Sequence, residues 1–353
     1  MSTIKDVAQK AGVTVTTVSR VINNRGYISQ ETRKKVQNAM KEIGYQPNEL
    51  ARALSKQRTN TIGVIVPSIA HPYFSKMISH IESAATAAGY KIILYNSKEE
   101  RENELKYFEL FKSNRVSGII LCSGTVSVAE FLNLNIPVIT IECADDLGDC
   151  NIQCDNYDGG KLATEHLFRC GCRELIHFSG VEKNIMPADR RGTAFEEICS
   201  RQGIIYHEAE TTEASFHKME YLDSIVMMLR KYPATDGIFA SSDLIAAQAI
   251  QACKIVGKQV PQDVKIVGFD DVNIASLVSP QLTSIRQPVK EMAEMAVDYI
   301  QKKNQGKDIP AKVVLPIELI QRESTASKES KCMNQDCQCA TEPLQQSDKP
   351  QKD

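Results

Sequence analysis

The strongest constraint on the fold is an alternation of two sequence periods that begins at Thr61 and fills most of the chain. Short runs rich in β-branched residues alternate with longer runs of helical apolar spacing, which predicts parallel, doubly wound α/β sheets. These elements are too many for one compact sheet, so the sequence predicts two lobes with a ligand crevice at the carboxyl ends of their strands. The predicted strands are Ile62–Val66, Lys91–Tyr95, Gly118–Cys122, Val138–Glu142, Leu175–Ser179, Gly237–Ala240 and Lys265–Gly268. The predicted helices lie near Tyr73–Ala88, Glu99–Asn114, Lys161–Phe168, Arg190–Gln202, Met219–Lys231, Leu244–Val256 and Lys290–Lys303.

A different pattern occupies the start of the chain, where Gly12 separates two short runs of helical apolar spacing. Thr3 and Thr14 stand at the N-cap positions, so the segment predicts a helix-turn-helix at about residues 4–23. The outer row of the second helix carries hydroxyls, a small apolar group and a guanidinium, which suit base edges in a DNA major groove. A helical hairpin without a DNA-binding role shows the same caps and apolar faces, so the pattern alone leaves both interpretations open. The residues predicted to contact DNA are Thr14, Val15, Thr16, Thr17, Arg20 and Asn23.

Three runs in this segment, Ile4–Ala8, Ala11–Val13 and Thr17–Asn23, resemble the opening of a LacI/GalR-type transcriptional repressor. The resemblance covers about residues 3–325 and favours the DNA-binding interpretation of the helical hairpin. Residues 21–29 are most similar to repressors of sucrose-type operons, which is a weak indication of the ligand. The later segments that match the family are Asp155–Gly160, Val260–Val264, Leu282–Ile285 and Leu319–Ser324.

The resemblance implies a domain plan. It places a DNA-binding domain at residues 1–57 and a two-lobed, periplasmic-binding-protein-like body for effector binding and dimerisation at 58–326. Residues 327–353 depart from the family pattern, and their polar composition predicts a disordered tail. The tail has no periodic spacing of apolar residues and no leucine heptads. Because such heptads would form a tetramerising coiled coil, a homodimer is expected rather than a tetramer. The chain is expected to cross between the lobes three times, with one lobe at about 61–157 and 288–318 and the other at about 158–287 and 319–326.

A third headpiece helix is predicted from Gln30 to Ile43, with Ser29 as its cap. Beyond it, Asn48 can cap a helix of about two turns, too short to persist alone in water. The resemblance makes this segment, about residues 48–56, the hinge helix of the family. Leu54 would then be an apolar wedge that enters the minor groove of the operator. The alternative interpretation is a plain linker.

Charge is unevenly spread along the chain. The whole sequence has 42 Lys or Arg and 44 Asp or Glu, but the first 58 residues hold 11 of the basic and only 4 of the acidic residues. A basic N-terminal segment followed by an acidic remainder is typical of a protein whose first segment contacts the phosphates of nucleic acid while the remainder does not.

The effector site is predicted from strand ends and from the resemblance. Tyr73 and Phe74 follow the loop after the first strand and could stack on a sugar ring, although either could be a core aromatic. Arg191 and Asp270 fall where the family has its ligand-binding arginine and carboxylate. Asp271, beside Asp270, is expected to be structural.

Three further candidates have weaker support. Glu142 stands where the family usually has Asp, so its carboxylate is shifted by about one carbon–carbon bond. Ser242 stands where relatives often have Asn, and it lacks the paired donor and acceptor of an amide. Phe216 is a candidate for stacking on the ligand. The complete predicted effector set is Tyr73, Phe74, Glu142, Arg191, Phe216, Ser242 and Asp270.

Neither a cofactor nor a metal is expected. The 11 cysteines have irregular spacing, which predicts free thiols rather than a disulfide framework. Three of them, Cys332, Cys337 and Cys339, lie in the tail, but three thiols with no nearby histidine do not complete a tetrahedral site. No apolar run reaches the roughly 20 residues of a membrane span, and the start lacks a signal peptide, so a cytoplasmic protein is expected.

Together these features predict a sequence-specific DNA-binding repressor of a carbohydrate operon, with double-stranded operator DNA and a small sugar-type effector as its partners. A purine or other nucleobase-type corepressor is the alternative within the same fold. A solute-binding protein would need an export signal and no headpiece. An enzyme on this fold would need a nucleophile or phosphate-loop motif, and the sequence contains neither G-x-S-x-G nor G-x-x-x-x-G-K-[ST].

Overall fold

The computed structural model describes residues 2–23, 25–45, 59–123, 136–144, 148–181 and 186–326. These form two units, a headpiece within the first 60 residues and a body from Thr61 onward. The predicted hinge helix at 48–56, with Leu54, and the tail at 327–353 lie outside the described residues.

The headpiece contains three helices with a small common core. Thr3 begins the first helix with the predicted cap, since its N–H donates to the Asp6 carboxylate at 2.7 Å while its hydroxyl accepts from the Asp6 N–H. Gly12 ends that helix with a positive φ of 66°, a conformation that glycine adopts without strain. The helices are α1 Ile4–Ala11, α2 Val15–Ile22 and α3 Gln30–Glu42. Their buried apolar residues are Val7, Ala8, Val18, Val21, Val36 and Ala39.

The first sheet of the body has six strands. They are β1 Thr61–Val66, β2 Lys91–Asn96, β3 Gly118–Leu121, β4 Val138–Ile141, β5 Cys150–Cys154 and β11 Lys312–Leu315. Their order in the sheet is β11-β5-β4-β3-β1-β2, and every neighbouring pair is parallel. Gly63 in β1 leaves room for the Phe111 ring, which lies 2.6 Å from where a Cβ would be. The helices that pack on this sheet are Pro72–Ala87, Arg101–Ser113 and Val289–Asn304.

The second sheet also has six strands. They are β6 Glu174–Phe178, β7 Ile205–Ala209, β8 Gly237–Ala240, β9 Lys265–Asp270, β10 Thr283–Arg286 and β12 Glu318–Ile320. Their order in the sheet is β12-β10-β9-β8-β6-β7. All neighbouring pairs are parallel except β10 with β12. The remaining helices of the body are Asn156–Arg169, the 3-10 turn Pro187–Asp189, Arg190–Gln202, Glu213–Lys218, Leu222–Lys231, Asp243–Ile255 and Ile274–Leu277.

The chain passes from one sheet to the other three times, after β5, after β10 and after β11. The doubly wound, two-lobed class is therefore confirmed, but the expectation of purely parallel sheets is wrong for β12. β11 ends at the crevice, and β12 follows it after residues 316–317. The edge strand β12 therefore runs away from the crevice, while its neighbour β10 runs toward it. Among the described residues, no helix combines the length and apolar composition that a bilayer crossing requires.

Candidate functional site

Helix α2 presents part of the predicted DNA-contacting row to solvent. Val15 keeps 41% of its surface exposed, and Thr16 and Arg20 are also exposed. Val18 and Val21 point the other way and are buried in the headpiece core. The exposed row thus combines methyl groups, which suit a thymine methyl, with a guanidinium, which suits the O6 and N7 acceptors of guanine.

The other predicted DNA contacts, Thr17 in α2 and the flanking Thr14 and Asn23, also stabilise this helix. The Thr17 amide donates to the Thr14 hydroxyl at 3.2 Å, and the two threonine hydroxyls lie 2.9 Å apart. The half-buried Asn23 donates its amide N–H to the Ser19 carbonyl at 2.9 Å. A capping side chain has fewer free groups for bases, so DNA contact by Thr14 and Asn23 stays a prediction that competes with a capping role.

A cavity of about 180 Å³ lies in the body, between the carboxyl ends of the strands of the two sheets. Both sheets contribute to its lining, as the doubly wound fold predicts. The structure therefore gathers residues from distant parts of the sequence, and their role as ligand contacts stays a prediction. The lining includes the whole predicted effector set, Tyr73, Phe74, Glu142, Arg191, Phe216, Ser242 and Asp270.

Arg191 is held rigidly at the base of the cavity. Its Nε donates to Asn156 Oδ1 at 2.8 Å, and an Nη donates to the carbonyl of Ser241 at 2.7 Å. The guanidinium carbon lies 3.5 Å from the centroid of the Phe269 ring, and only 7% of the residue is exposed. Gly160 permits this placement, because a Cβ there would lie 2.4 Å from the Arg191 carbonyl oxygen. The guanidinium is thus oriented before any ligand arrives.

Asp270 ends β9 with a positive φ of 104°, and its carboxylate faces the same cavity. Gln287 donates an amide N–H to Asp270 Oδ1 at 2.7 Å. Burial raises the pKa of Asp270 to about 7, against the opposing effects of the Arg191 guanidinium and the Gln287 hydrogen bond. A group with this pKa changes its charge near neutral pH, so its protonation state responds to a bound ligand.

Glu142 follows β4 with a positive φ of 54° and is tied to the neighbouring strand. Its carboxylate accepts from the Cys154 N–H and from Asn156 Nδ2, the latter at 2.8 Å. Burial raises the pKa of Glu142, and the nearby Arg191 opposes that shift. The amide of Asn156 therefore joins Glu142 to Arg191, and part of the Glu142 acceptor capacity is already used within the protein.

Aromatic rings form one wall of the cavity and connect its two sides. Phe216, from the short helix Glu213–Lys218, stacks on His71 with ring centroids 5.6 Å apart and an interplanar angle of 26°. Phe74 meets the same His71 ring edge-on at 5.6 Å. Burial lowers the pKa of His71 to about 4, so the imidazole is neutral at pH 7. The helix predicted at Met219–Lys231 begins only at Leu222, and Phe216 belongs to a separate short helix that the sequence did not indicate.

The two aromatic candidates at the start of the first body helix have different environments. Tyr73 is 7% exposed and belongs to the core, while Phe74 is only partly buried. Within the described residues, the buried Tyr73 hydroxyl has no hydrogen-bond partner. Tyr73 is therefore a core aromatic whose hydroxyl is available to a ligand in the cavity. The Phe74 ring is the more accessible of the two.

Ser242 serves first as a helix cap. Its hydroxyl accepts from the Ile245 N–H at 3.3 Å at the start of the helix Asp243–Ile255. Asp271 has the structural role expected of it, since its carboxylate binds Arg286 at 2.7 Å and Arg322 at 2.6 Å. The Ser242 hydroxyl can still donate to a ligand, because capping uses it only as an acceptor.

Sequence reasoning missed several residues that shape the cavity. Asn156 and Gln287 orient the charged groups, and His71 completes the aromatic wall. His177 stacks on Phe239 at 4.6 Å and places its Nδ1 3.0 Å from the Phe239 carbonyl, so Nδ1 carries the proton and Nε2 remains an acceptor. The available signals were the position of Asn156 in the matched segment Asp155–Gly160 and that of Gln287 two residues after the matched segment Leu282–Ile285.

Comparison with known proteins agrees with this architecture. Residues 3–48 match the family of bacterial regulatory proteins, lacI family, and residues 164–325 match a periplasmic binding protein-like domain. The chain is 35% identical over 331 residues to the ribose operon repressor of Halalkalibacterium halodurans, covering 94% of this chain and 99% of that protein. It is 34% identical over 321 residues to the sucrose operon repressor of Streptococcus mutans serotype c, covering 91% of this chain and 98% of that protein.

A solved structure with a similar fold is the lac repressor dimer bound to operator and the anti-inducer ONPF. Its TM-score is 0.79 at 27% identity, with coverage of 92% of this chain and 99% of that chain. A helix-turn-helix headpiece joined to a two-sheet body with a cavity at the strand ends defines a DNA-binding regulator. The chain belongs to the LacI family of bacterial regulatory proteins.

Proposed function

We propose that the chain is a homodimeric, sequence-specific repressor of a carbohydrate operon, with operator affinity controlled by a small sugar-type effector bound between the lobes. The observation that carries this proposal is the presence, in one chain, of a solvent-facing row on α2 that is predicted to contact DNA and a buried polar cavity at the strand ends. The relatives named as ribose and sucrose operon repressors support the carbohydrate assignment.

The cavity suits a polyol better than a nucleobase. Arg191 can donate to ring hydroxyls, the Asp270 carboxylate can accept from them, and the Phe74 and Phe216 rings can cover an apolar ring face. A purine corepressor is the alternative. A purine has few hydrogen-bond donors for the two buried carboxylates of the cavity, Glu142 and Asp270. A sugar, with a hydroxyl on most carbons, satisfies those acceptors.

Effector binding can influence the whole body because both lobes line the cavity. Lys76, on the helix Pro72–Ala87 of the first lobe, donates its ammonium to the Asp271 carbonyl of the second lobe at 2.8 Å. The His71–Phe216 stack is a second contact between the lobes. A ligand that stabilises these contacts between the lobes favours any arrangement of the headpiece that depends on them. Operator binding to that arrangement then raises the affinity for the ligand by the same factor.

We infer that the chain is not an enzyme, because the charged groups of the cavity are tied to protein partners and suit ligand binding rather than bond cleavage. Since the proposed partner is operator DNA, we expect the protein to act in the cytoplasm.

The DNA-binding part of the proposal is tested by selection of duplexes from a random pool with the full chain, followed by affinity measurements with Arg20→Ala. We expect a defined operator sequence. Arg20→Ala should lower the ratio of specific to non-specific affinity by about 1–3 kcal/mol if Arg20 reads a guanine. Lys35→Ala is a matched control, because Lys35 is exposed on α3 and pairs with Glu31 at 2.8 Å. A pool without sequence enrichment, or an unchanged ratio for Arg20→Ala, would contradict this assignment.

Effector affinity should depend on pH through Asp270. In the free protein the pKa of Asp270 is about 7, because burial raises it. Hydroxyls that donate to the carboxylate favour the ionised form, so binding should weaken as the pH falls, by about tenfold from pH 8 to pH 6 for a single group. Calorimetry at several pH values should show that Asp270→Asn binds weakly at every pH and loses most of this slope. An affinity that rises as the pH falls would assign the carboxylate a different role.

A further inference from the structure

One thiol of the described chain is accessible to a ligand. Of the eight cysteines that the structure describes, seven are buried and Cys170 is half-buried. It directly follows the helix Asn156–Arg169 and is the C-cap residue of that helix. A fully buried thiol behaves as a small apolar side chain, whereas a thiol that solvent reaches can bind a metal ion. Among the described cysteines, Cys170 is therefore the candidate metal ligand.

His166 lies about one helical turn before Cys170, on the same face of the helix. The Cys170 Sγ lies 3.6 Å from His166 Nε2. Zn²⁺ binds a histidine nitrogen at about 2.0–2.1 Å and a thiolate sulfur at about 2.3 Å. In a tetrahedral site these bond lengths place the nitrogen and the sulfur about 3.6 Å apart. The two side chains thus already have the separation of two ligands on one zinc ion.

Two ligands do not complete a structural zinc site, which has four. Within the part of the chain that the structure describes, no group of three or more His, Cys, Asp or Glu side chains is placed to hold a metal. A complete site around this pair therefore needs ligands from beyond the described residues.

The chain that follows the described body starts beside this pair. Thr325 places its hydroxyl 2.8 Å from His166 Nε2 and its carbonyl oxygen 3.8 Å from the Cys170 Sγ. The Thr325 hydroxyl also lies 2.8 Å from the hydroxyl of Thr283, so it keeps a partner when Nε2 binds a metal instead. The segment 327–353 thus begins two residues after a residue that contacts both candidate ligands.

That segment carries three thiols, those of Cys332, Cys337 and Cys339. Cys332 follows Thr325 by seven residues, which can span up to about 25 Å, so the chain is long enough to bring the thiols back to the pair. Four residues separate Cys332 from Cys337, a spacing found in structural zinc sites. The three thiols alone lack a histidine, and the fold supplies one in His166.

The charges near Cys170 suit a site rich in thiolates. Zn²⁺ bound to three thiolates and one histidine carries a single net negative charge. The cationic side chains of Lys265 and Arg169 both act electrostatically on Cys170. Their positive charge therefore stabilises such a site.

A metal site accounts for these thiols better than a disulfide does. A disulfide with Cys170 would use only one of the three thiols in the segment 327–353. The function proposed above places the chain in the reducing cytoplasm, where a cysteine cluster more often binds metal than forms a stable disulfide.

From these observations we propose that the chain binds one Zn²⁺ ion, which fastens the segment 327–337 to the body. The four ligands are His166, Cys170, Cys332 and Cys337. Binding releases the three thiol protons to solvent, and no group is oxidised or reduced. Neither of the described ligands lines the effector cavity, so this site is separate from the one proposed for the effector.

Metal binding is tested with the full chain, kept reduced by a phosphine that does not bind Zn²⁺. The protein is first stripped of metal with EDTA and then titrated with Zn²⁺, and elemental analysis after gel filtration should find one ion per chain. Co²⁺ serves as a spectroscopic probe. It should give the intense visible absorption of a tetrahedral site with thiolate ligands.

Substitutions identify the ligands. Cys170→Ser and His166→Gln should each lower the affinity for Zn²⁺ by at least about a hundredfold, because even a residue that only supports a ligand typically accounts for 10- to 100-fold. Cys339→Ser is the matched control, since it removes a thiol of the same segment that is not assigned as a ligand, and it should leave the affinity unchanged. Circular dichroism shows whether each variant is folded. Cys332→Ser and Cys337→Ser should also lower the affinity, and they decide the assignment if His166→Gln fails to fold.

Zn²⁺ should also protect the segment from proteolysis. Trypsin cleaves after Lys328 and Lys331, which lie between the described body and Cys332. We expect cleavage at these two positions to be slower with Zn²⁺ than with EDTA in the unmodified chain. Cys170→Ser should remove this difference, because the segment is then no longer fastened to the body.

Three outcomes would overturn the proposal. The first is a dissociation constant for Zn²⁺ weaker than about 1 μM. The second is an affinity that Cys170→Ser and His166→Gln leave unchanged, which would show that the thiols of the segment act alone. The third is a disulfide between Cys170 and one of those thiols in the protein as isolated, detected by peptide mapping without reduction. No operator or effector measurement enters this test, so its failure would leave the function proposed above intact.

Discussion

Arg191→Ala and Asp270→Ala should each abolish the effector's influence on operator binding. Both side chains are more than nine-tenths buried and line the cavity. Loss of either one leaves the ligand hydroxyls without a charged partner, which should cost roughly 1.5–3 kcal/mol, or about ten- to a hundredfold in effector affinity. Operator affinity without effector should stay within about threefold of the unmodified protein, because no phosphate contact is lost. Calorimetry with the effector, paired with an operator gel shift, measures both quantities.

Arg190→Ala is the matched control for Arg191→Ala. Arg190 is exposed, lies over the Tyr157 ring at 5.5 Å and is not part of the cavity lining. It should leave effector affinity unchanged. Circular dichroism shows whether each variant is folded, and Arg191→Lys and Asp270→Asn give milder changes should an alanine variant fail to fold. The double variant should lose less than the sum of the single losses, since both residues hold one ligand. Normal effector affinity in both single variants would move the effector site elsewhere.

Gly160→Ala should destabilise the body and also weaken effector binding. A Cβ at this position would lie 2.4 Å from the Arg191 carbonyl oxygen and 2.9 Å from its Cα, and both are backbone atoms. The helices Asn156–Arg169 and Arg190–Gln202 must therefore move apart, at a cost of about 1–3 kcal/mol or more. The same movement displaces the Arg191 guanidinium from Asn156. Urea denaturation followed by circular dichroism measures the loss of stability.

Gly180→Ala is the control for this substitution. Among the described residues, the atom nearest to a Cβ at Gly180 is the Ser241 hydroxyl oxygen at 3.9 Å, so an extra methyl group fits against them without displacement. Its free energy of unfolding should change by less than about 0.5 kcal/mol. Equal stability of Gly160→Ala and the unmodified protein would show that the two helices can separate at little cost and that Arg191 is not fixed by their contact.

The sequence predicts the parts of the fold that have a strong local signal. The strands rich in Val and Ile, such as Thr61–Val66 and Val138–Ile141, were predicted close to their observed bounds. Strands β5, β7, β10, β11 and β12 were missed. They are short, and β5 and β7 contain Cys, Gln, His or Glu instead of a β-branched run. Their pairing with neighbouring strands, rather than their own composition, makes them strands.

The residues of the candidate site also fall into those that the sequence predicts and those that it does not. Arg191 and Asp270 could be predicted because each occupies a position matched by the family resemblance, and Asp270 also follows a recognisable strand. The positions of Asn156 and Gln287 in or near matched segments do not reveal their roles, since those roles come from contacts with residues far away in the sequence. The His71–Phe216 stack likewise joins residues from different lobes, and no local pattern encodes it.

The central claim is that one ligand in the cavity and one operator on the headpiece are coupled. Fluorescence anisotropy of a labelled operator duplex, titrated with the full chain with and without a saturating sugar that binds in calorimetry, tests it most directly. We predict a change in operator affinity of about 5- to 150-fold, matched by an equal change in sugar affinity when operator is present. An operator affinity that is the same with and without the bound sugar would contradict the account.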